Sequence, residues 1–163
     1  MGRDAATRGH EILAHTADAG LRTWAPDLPA LFEEAAAALA ELAADVDAGG
    51  PADTVPVELT APDLVGLAYA WLNELIGLAD ARAAAIARAR VESVRLGPLP
   101  AAAHGHRRDR SDEQPAELRA TIDLVSRGPR ARPRVDVKSA TYHRLAVEPL
   151  PDGGWTLTAY LDV

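Results

Sequence analysis

Two acidic places in this sequence carry side chains that could hold a cation. The tetrapeptide His15-Thr16-Ala17-Asp18 lies in a tight connection between two short apolar stretches. There Asp18 or Thr16 closes a turn by bonding the local backbone, or Asp18 presents its carboxylate to a cation. The final run, GGWTLTAYLDV, sets Asp162 one residue before the terminal carboxylate at Val163, so two acidic groups crowd that end. Free ends usually fray, and a run that stops on a strand with no polar tail suggests that the terminus is placed in the structure. Carboxylate oxygens are hard donors suited to Ca2+, Mg2+ or Mn2+. If the two ends of the chain meet, they supply three oxygen donors and leave the ion open to water.

Other candidates are less specific. Lys138, the only lysine, and His143 lie in VKSATYH, where they decorate a strand or contact a partner. His104 and His106 sit beside Arg107, Arg108 and Arg110, with no third metal ligand at useful spacing. The arginines read as a solvated loop or as a phosphate contact. There is no cysteine, hence no thiolate metal site, disulfide or thiol nucleophile. P-loop, G-x-S-x-G, H-E-x-x-H and dinucleotide fingerprints are all absent. With no nucleophile beside a partnered base, the residues argue against an independent enzyme.

The elements that must position these groups follow from periodicity. The C-terminal stretch alternates in period two from Val135, with Val135, Val137, Ser139 and Thr141 opposite Asp136, Lys138, Ala140 and Tyr142. It continues through Leu145 and Val147, turns at Pro151-Asp152-Gly153-Gly154, and returns through Trp155, Leu157, Ala159 and Leu161, which is a hairpin. At the other end, 10–15 and 19–25 read as strands. A helix follows, capped by Asp27 with Pro29 in its first turn; Leu28, Leu31, Phe32, Ala35, Leu39, Leu42 and Val46 form its stripe, and Gly49-Gly50-Pro51 stops it. A strand over 54–60, demoted to an edge by Pro56, leads to a second helix. Thr60 caps it with Asp63 three residues on, and its stripe runs from Leu64 through Trp71 to Leu78. Residues 84–96 read as a strand on their β-branched content, although their alanines also suit a helix. The stretch 97–115 reads as an exposed, mobile loop, 118–124 as a strand, and 126–133 as a polar connection.

Two helices early and strands throughout predict an α+β single domain over 1–163, with both helices packed on a mostly antiparallel or mixed sheet. At 163 residues the chain buries a sizeable core without staples. Nothing resembles a signal peptide or the roughly 18 apolar residues of a membrane span, so a cytoplasmic protein is expected. The net charge of −7 is uneven: residues 1–80 hold fourteen Asp/Glu against three Arg, whereas 81–163 hold ten against fourteen Arg and Lys. So acidic a chain is poorly suited to bind nucleic acid alone, because phosphate neutralisation supplies most non-specific affinity. It suits a basic surface on another protein.

HEILAHTAD at 10–18, the acidic helix after it, LVGLAYAWLNELIGLAD at 64–80, VKSATYH at 137–143 and the terminal GGWTLTAYLDV together resemble the archease family, in the same order over nearly the whole chain. The resemblance implies a protein that activates an RtcB-type RNA ligase in tRNA splicing and RNA repair. It promotes nucleotidylation of the ligase and sustains multiple turnover, meeting RNA only through the ligase. The family's metal-site carboxylates fall on Asp18 and Asp162, with Val163 contributing a main-chain or carboxylate oxygen, and the family binds a divalent ion, Ca2+ first, with Mg2+ or Mn2+ as alternatives. Lys138 and His143, in the matched strand, are the implied contacts to partner or phosphate. Two departures stand out. Ala131-Arg132-Pro133 replaces a His-Glu-Pro-like segment, and 97–115 is longer and more basic than the pattern. Rival readings are a metal-dependent hydrolase of phosphodiesters or RNA built on the same carboxylates, and a general chaperone or RNA-binding module.

Overall fold

The computed structural model describes residues 7–14, 18–47, 49, 51–97 and 115–163. The chain forms β1 (Gly9–Ala14), β2 (Asp18–Ala25), α1 (Leu28–Ala43), β3 (Ala44–Val46), β4 (Asp53–Ala61), α2 (Leu64–Ala81), β5 (Ala84–Leu96), β6 (Ala116–Ser126), β7 (Ala131–Pro133), β8 (Ser139–Pro149) and β9 (Trp155–Asp162). All strand pairs are antiparallel. They make a four-stranded sheet in the order β1-β2-β9-β8, a three-stranded sheet β4-β6-β5 and the small ribbon β3-β7. The first and last hairpins of the chain are thus halves of one sheet, joined where β2 pairs with β9. Both helices touch both larger sheets. The molecule is an α+β single domain, as its periodicity predicts.

Alternation explains the strands that matter most. Along β9, Leu157, Ala159 and Leu161 are buried while Thr156, Thr158 and Tyr160 are only partly so. Along β2, Ala19, Leu21, Thr23 and Ala25 face the same core. The helices are fastened to each other by Trp71, which is fully buried and whose indole N–H donates to the Phe32 carbonyl at 2.9 Å. Pro56 does mark an edge strand, since β4 flanks its sheet.

Several boundaries differ from those read in the sequence. α1 stops at Ala43 rather than near Gly49, and Val46 lies in β3. The reason is a competing partner: the Ala43 carbonyl accepts from the N–H groups of Arg134 and Val135, and the next three residues pair with β7, a strand inside the expected connection 126–133. Thr60 does not cap α2. It belongs to β4, and Asp63 is the cap, its carboxylate accepting from Gly66 N–H at 2.6 Å. The strand expected from Val135 begins at Ser139, so Val135 to Lys138 form a strap rather than a ladder. Residues 84–96, which read as a strand although their alanines also suit a helix, form β5. The loop read over 97–115, with His104, His106 and its arginines, falls almost wholly outside the described residues.

His10 pins β1 to α1. Its Nδ1 lies 2.8 Å from Glu34 Oε1 and its Nε2 2.7 Å from Glu41 Oε2. Burial disfavours the charged ring, but the hydrogen bonds to Glu41 and Glu34 outweigh it, and its pKa rises above the ordinary 6.5. For Glu34, burial pushes the pKa up and the bonds from His10 and Arg8 pull it down further, so the net shift is downward. A raised histidine pKa contributes stability that is complete below pH 6.5 and is lost as pH rises through the folded value. The melting temperature should therefore fall as pH rises above 6.5, and His10→Gln should flatten that descent in a thermal melt series; equal slopes in both proteins would contradict the linkage.

Candidate functional site: an acidic corner at the end of the four-stranded sheet

β2 and β9 run side by side from Ala25 opposite Trp155 to Asp18 opposite Asp162. The two carboxylates expected at opposite ends of the chain are therefore direct cross-strand partners, on one face and at one end of the sheet. Paired residues of this kind have Cβ atoms about 4.5–5.5 Å apart. Both aspartates are exposed. Among the described residues neither carboxylate has a hydrogen bond or ion pair to a side chain, and like charges placed directly opposite destabilise a ladder. That imbalance is what a bound cation would relieve, so the donor set fits a hard divalent ion.

The third strand closes the corner from the other side. Ser139 pairs with Asp162, and the Lys138 N–H donates to the Asp162 carbonyl at 2.9 Å. Lys138 thus stands one residue before the strand, its backbone beside that of Asp162 and its side chain exposed. Val163 follows Asp162 and is 41 % exposed. His143 is not there: it lies in an outward bulge of β8, with its ring 6.5 Å from that of Tyr160. His15, Thr16 and Ala17 lie outside the described residues. No group of three or more His, Cys, Asp or Glu side chains gathers among the described residues, so any ion here draws its remaining ligands from main-chain oxygens, water or a partner. The strap 134–137 walls a cavity of about 540 Å3 with an aliphatic floor of Leu39, Leu75 and Ile76. Neither aspartate lines it, and the carboxylates form an open surface site.

Asn73 escaped the sequence reading. Its side-chain amide donates to the Ala140 carbonyl at 3.2 Å and its oxygen accepts from the Ala140 N–H at 3.0 Å, so α2 supplies the pairing that the outer edge of β8 lacks. The only signal was a polar residue amid the apolar run WLNEL.

A model of the Archease protein family (MTH1598/TM1083) matches residues 10–163. The chain belongs to the archease family. Among the archeases to which it is similar, that of Thermococcus gammatolerans is 32% identical over 151 residues, covering 91% of this chain and 94% of the relative. That of Pyrococcus abyssi is 29% identical over 156 residues, covering 94% and 97%. The fold is similar to the solution structure of Methanobacterium thermoautotrophicum protein 1598, with a TM-score of 0.67 and 28% identity over 95% of this chain and 99% of that one. The motif blocks that suggested the archease family are thus embedded in a match over almost the full length. No helix among the described residues is long and apolar enough to cross a membrane.

The opposed carboxylates make a stability prediction for this archease. Calcium ion at 100 times its dissociation constant should add about 2.7 kcal/mol to the unfolding free energy. Asp162→Asn should abolish that gain and, in chelator, melt no lower than the parent. Equal calcium stabilisation of both proteins would place the cation elsewhere.

Proposed function

We propose that this chain is a non-catalytic activator of an RtcB-type RNA ligase and that it works through a divalent cation held by Asp18, Asp162 and a main-chain oxygen of Val163. The observation that carries the reading is the β2–β9 register, which sets Asp18 opposite Asp162 in a chain of the archease family. A divalent ion, when bound, supplies positive charge that neutralises phosphate oxygens during nucleotidyl transfer. The chain's own residues do the rest. The two carboxylates would hold such an ion at the end of the β2–β9 pair, on the face away from the core. Lys138, whose backbone N–H donates to the Asp162 carbonyl, offers a point charge at the same end of the sheet for a phosphate or an acidic group of the ligase. The residues before it are anchored to the Ala43 carbonyl through the Arg134 and Val135 N–H groups. Ca2+ is the first candidate, with Mg2+ and Mn2+ as alternatives of the same ligand preference. His143 serves as a contact to the partner or to a phosphate rather than to the ion.

The activity of such a protein is visible only through the ligase. A ligation assay joining a 3′-phosphate or 2′,3′-cyclic phosphate end to a 5′-hydroxyl, with ligase substoichiometric to RNA, should show multiple turnover only when this chain is present. Asp18→Ala and Asp162→Ala should each remove the stimulation, at least tenfold, without loss of folded structure by circular dichroism. Full stimulation by both variants would refute the role of the carboxylates. Turnover of RNA or nucleotides by the chain alone would instead favour a metal-dependent hydrolase.

A further inference from the structure

β8 breaks its pairing with β9 at one place. Between Thr141, opposite Tyr160, and Ala146, opposite Thr158, the residues 142–145 face Ala159 alone. The excess is thrown outward as Tyr142-His143-Arg144, all exposed, and Leu145 returns to the core. Arg144 holds φ at +56°, a left-handed conformation that a long side chain keeps only when its surroundings impose it. A bulge on an edge strand deters further strand pairing, but that purpose requires no aromatic ring or cation at the tip.

Here both are ordered. Tyr142 stacks on Tyr69 of α2 with centroids 4.0 Å apart and planes at 11°. It is nevertheless 58 % exposed, more than any other large apolar side chain among the described residues. Tyr69 covers one face of the ring, and more than half of the side chain is still exposed. The Arg144 guanidinium lies 6.0 Å over the Tyr160 ring, and His143 is tilted toward the same ring. Tyr160 is seated across β2 at Gly20, where an added Cβ would come within 3.2 Å of its Cε1. Tyr160 precedes Asp162 by two residues, about 7 Å along the strand, which places the bulge beside the acidic corner.

We propose that the Tyr142-His143-Arg144 bulge is a nucleotide-binding site: a nucleobase stacks on the exposed ring of Tyr142, and His143 and Arg144 hold the adjoining phosphate. An aromatic face accepts any base, and a cation beside it takes the backbone charge. The composition of the bulge suits this ligand: an exposed aromatic ring is followed directly by an exposed histidine and arginine. The site deepens the proposed function by giving the activator its own contact with a nucleotide, and its test needs no ligase, so the two readings fail separately. The nucleotide arrives either free or as the terminal unit of single-stranded RNA.

The test is an NMR titration of the full chain with a single-stranded hexaribonucleotide bearing a 3′-phosphate and, separately, with GMP, following the ring resonances of Tyr142 and Tyr69. Both rings should shift with at least one probe. Tyr142→Leu should weaken that binding at least tenfold and Tyr142→Phe less than twofold. Arg144→Gly, which removes the guanidinium and relieves the backbone, should weaken it severalfold and flatten its salt dependence. Tighter binding of the oligonucleotide supports the site with an RNA end as its source, and tighter binding of GMP supports it with a free nucleotide. Silence of the Tyr142 ring toward both probes, or parental affinity in Tyr142→Leu, would overturn the proposal. Tyr142→Leu that keeps nucleotide affinity but loses ligase stimulation would overturn it in favour of a protein contact.

Discussion

Ala19, Leu21 and Thr23 of β2 lie opposite Leu161, Ala159 and Leu157 of β9, and all six are buried on the face that meets the core. Because side chains alternate with period two, a slip of one residue would turn this whole set toward solvent and bring Gly20, Arg22 and Trp24 inside. The core therefore fixes the register, and the register fixes the last pair, Asp18 with Asp162. Two carboxylates that repel each other are held face to face by apolar burial several residues away. Neither is buried in the packing that positions it.

The same ladder organises what surrounds the corner. β8 pairs with β9 on its other side, so Ser139 and the Lys138 N–H meet Asp162 there. α2 holds β8 from outside through Asn73, and α1 ends where the strap toward Lys138 takes the Ala43 carbonyl. Each helix thus contributes one hydrogen-bonded fixture to the segment that carries the lysine. At the other side of the sheet, His10 and its two glutamates tie the outermost strand to α1. The corner sits at the end of a sheet clamped along both margins.

Much of this was legible in the sequence because it depends on local periodicity. The return strand from Trp155, the stripe of α2, that of α1 as far as Leu42, and the Asp27 cap are written in short-range patterns that tertiary structure did not override. The meeting of Asp18 and Asp162 was legible only as a conditional, since it depends on a pairing between strands at opposite ends of the chain. What failed was decided by partners distant in sequence. Ala44 to Val46 continue a helical pattern but find β7, and Val135 and Val137 alternate like a strand but have no ladder to join before Ser139. The bulge at Tyr142-His143-Arg144 left no periodic trace. It consists of extra residues in one strand, and only the partner strand reveals the excess.

Whether the acidic corner holds a cation can be read directly by adding substoichiometric Mn2+ to isotopically labelled protein and recording amide line broadening. Asp18, Ser139, Asp162 and Val163 should broaden first and together, while amides of α1 around Glu34 and Glu41 stay sharp. Uniform broadening, or broadening centred on the His10–Glu34–Glu41 cluster, would contradict it.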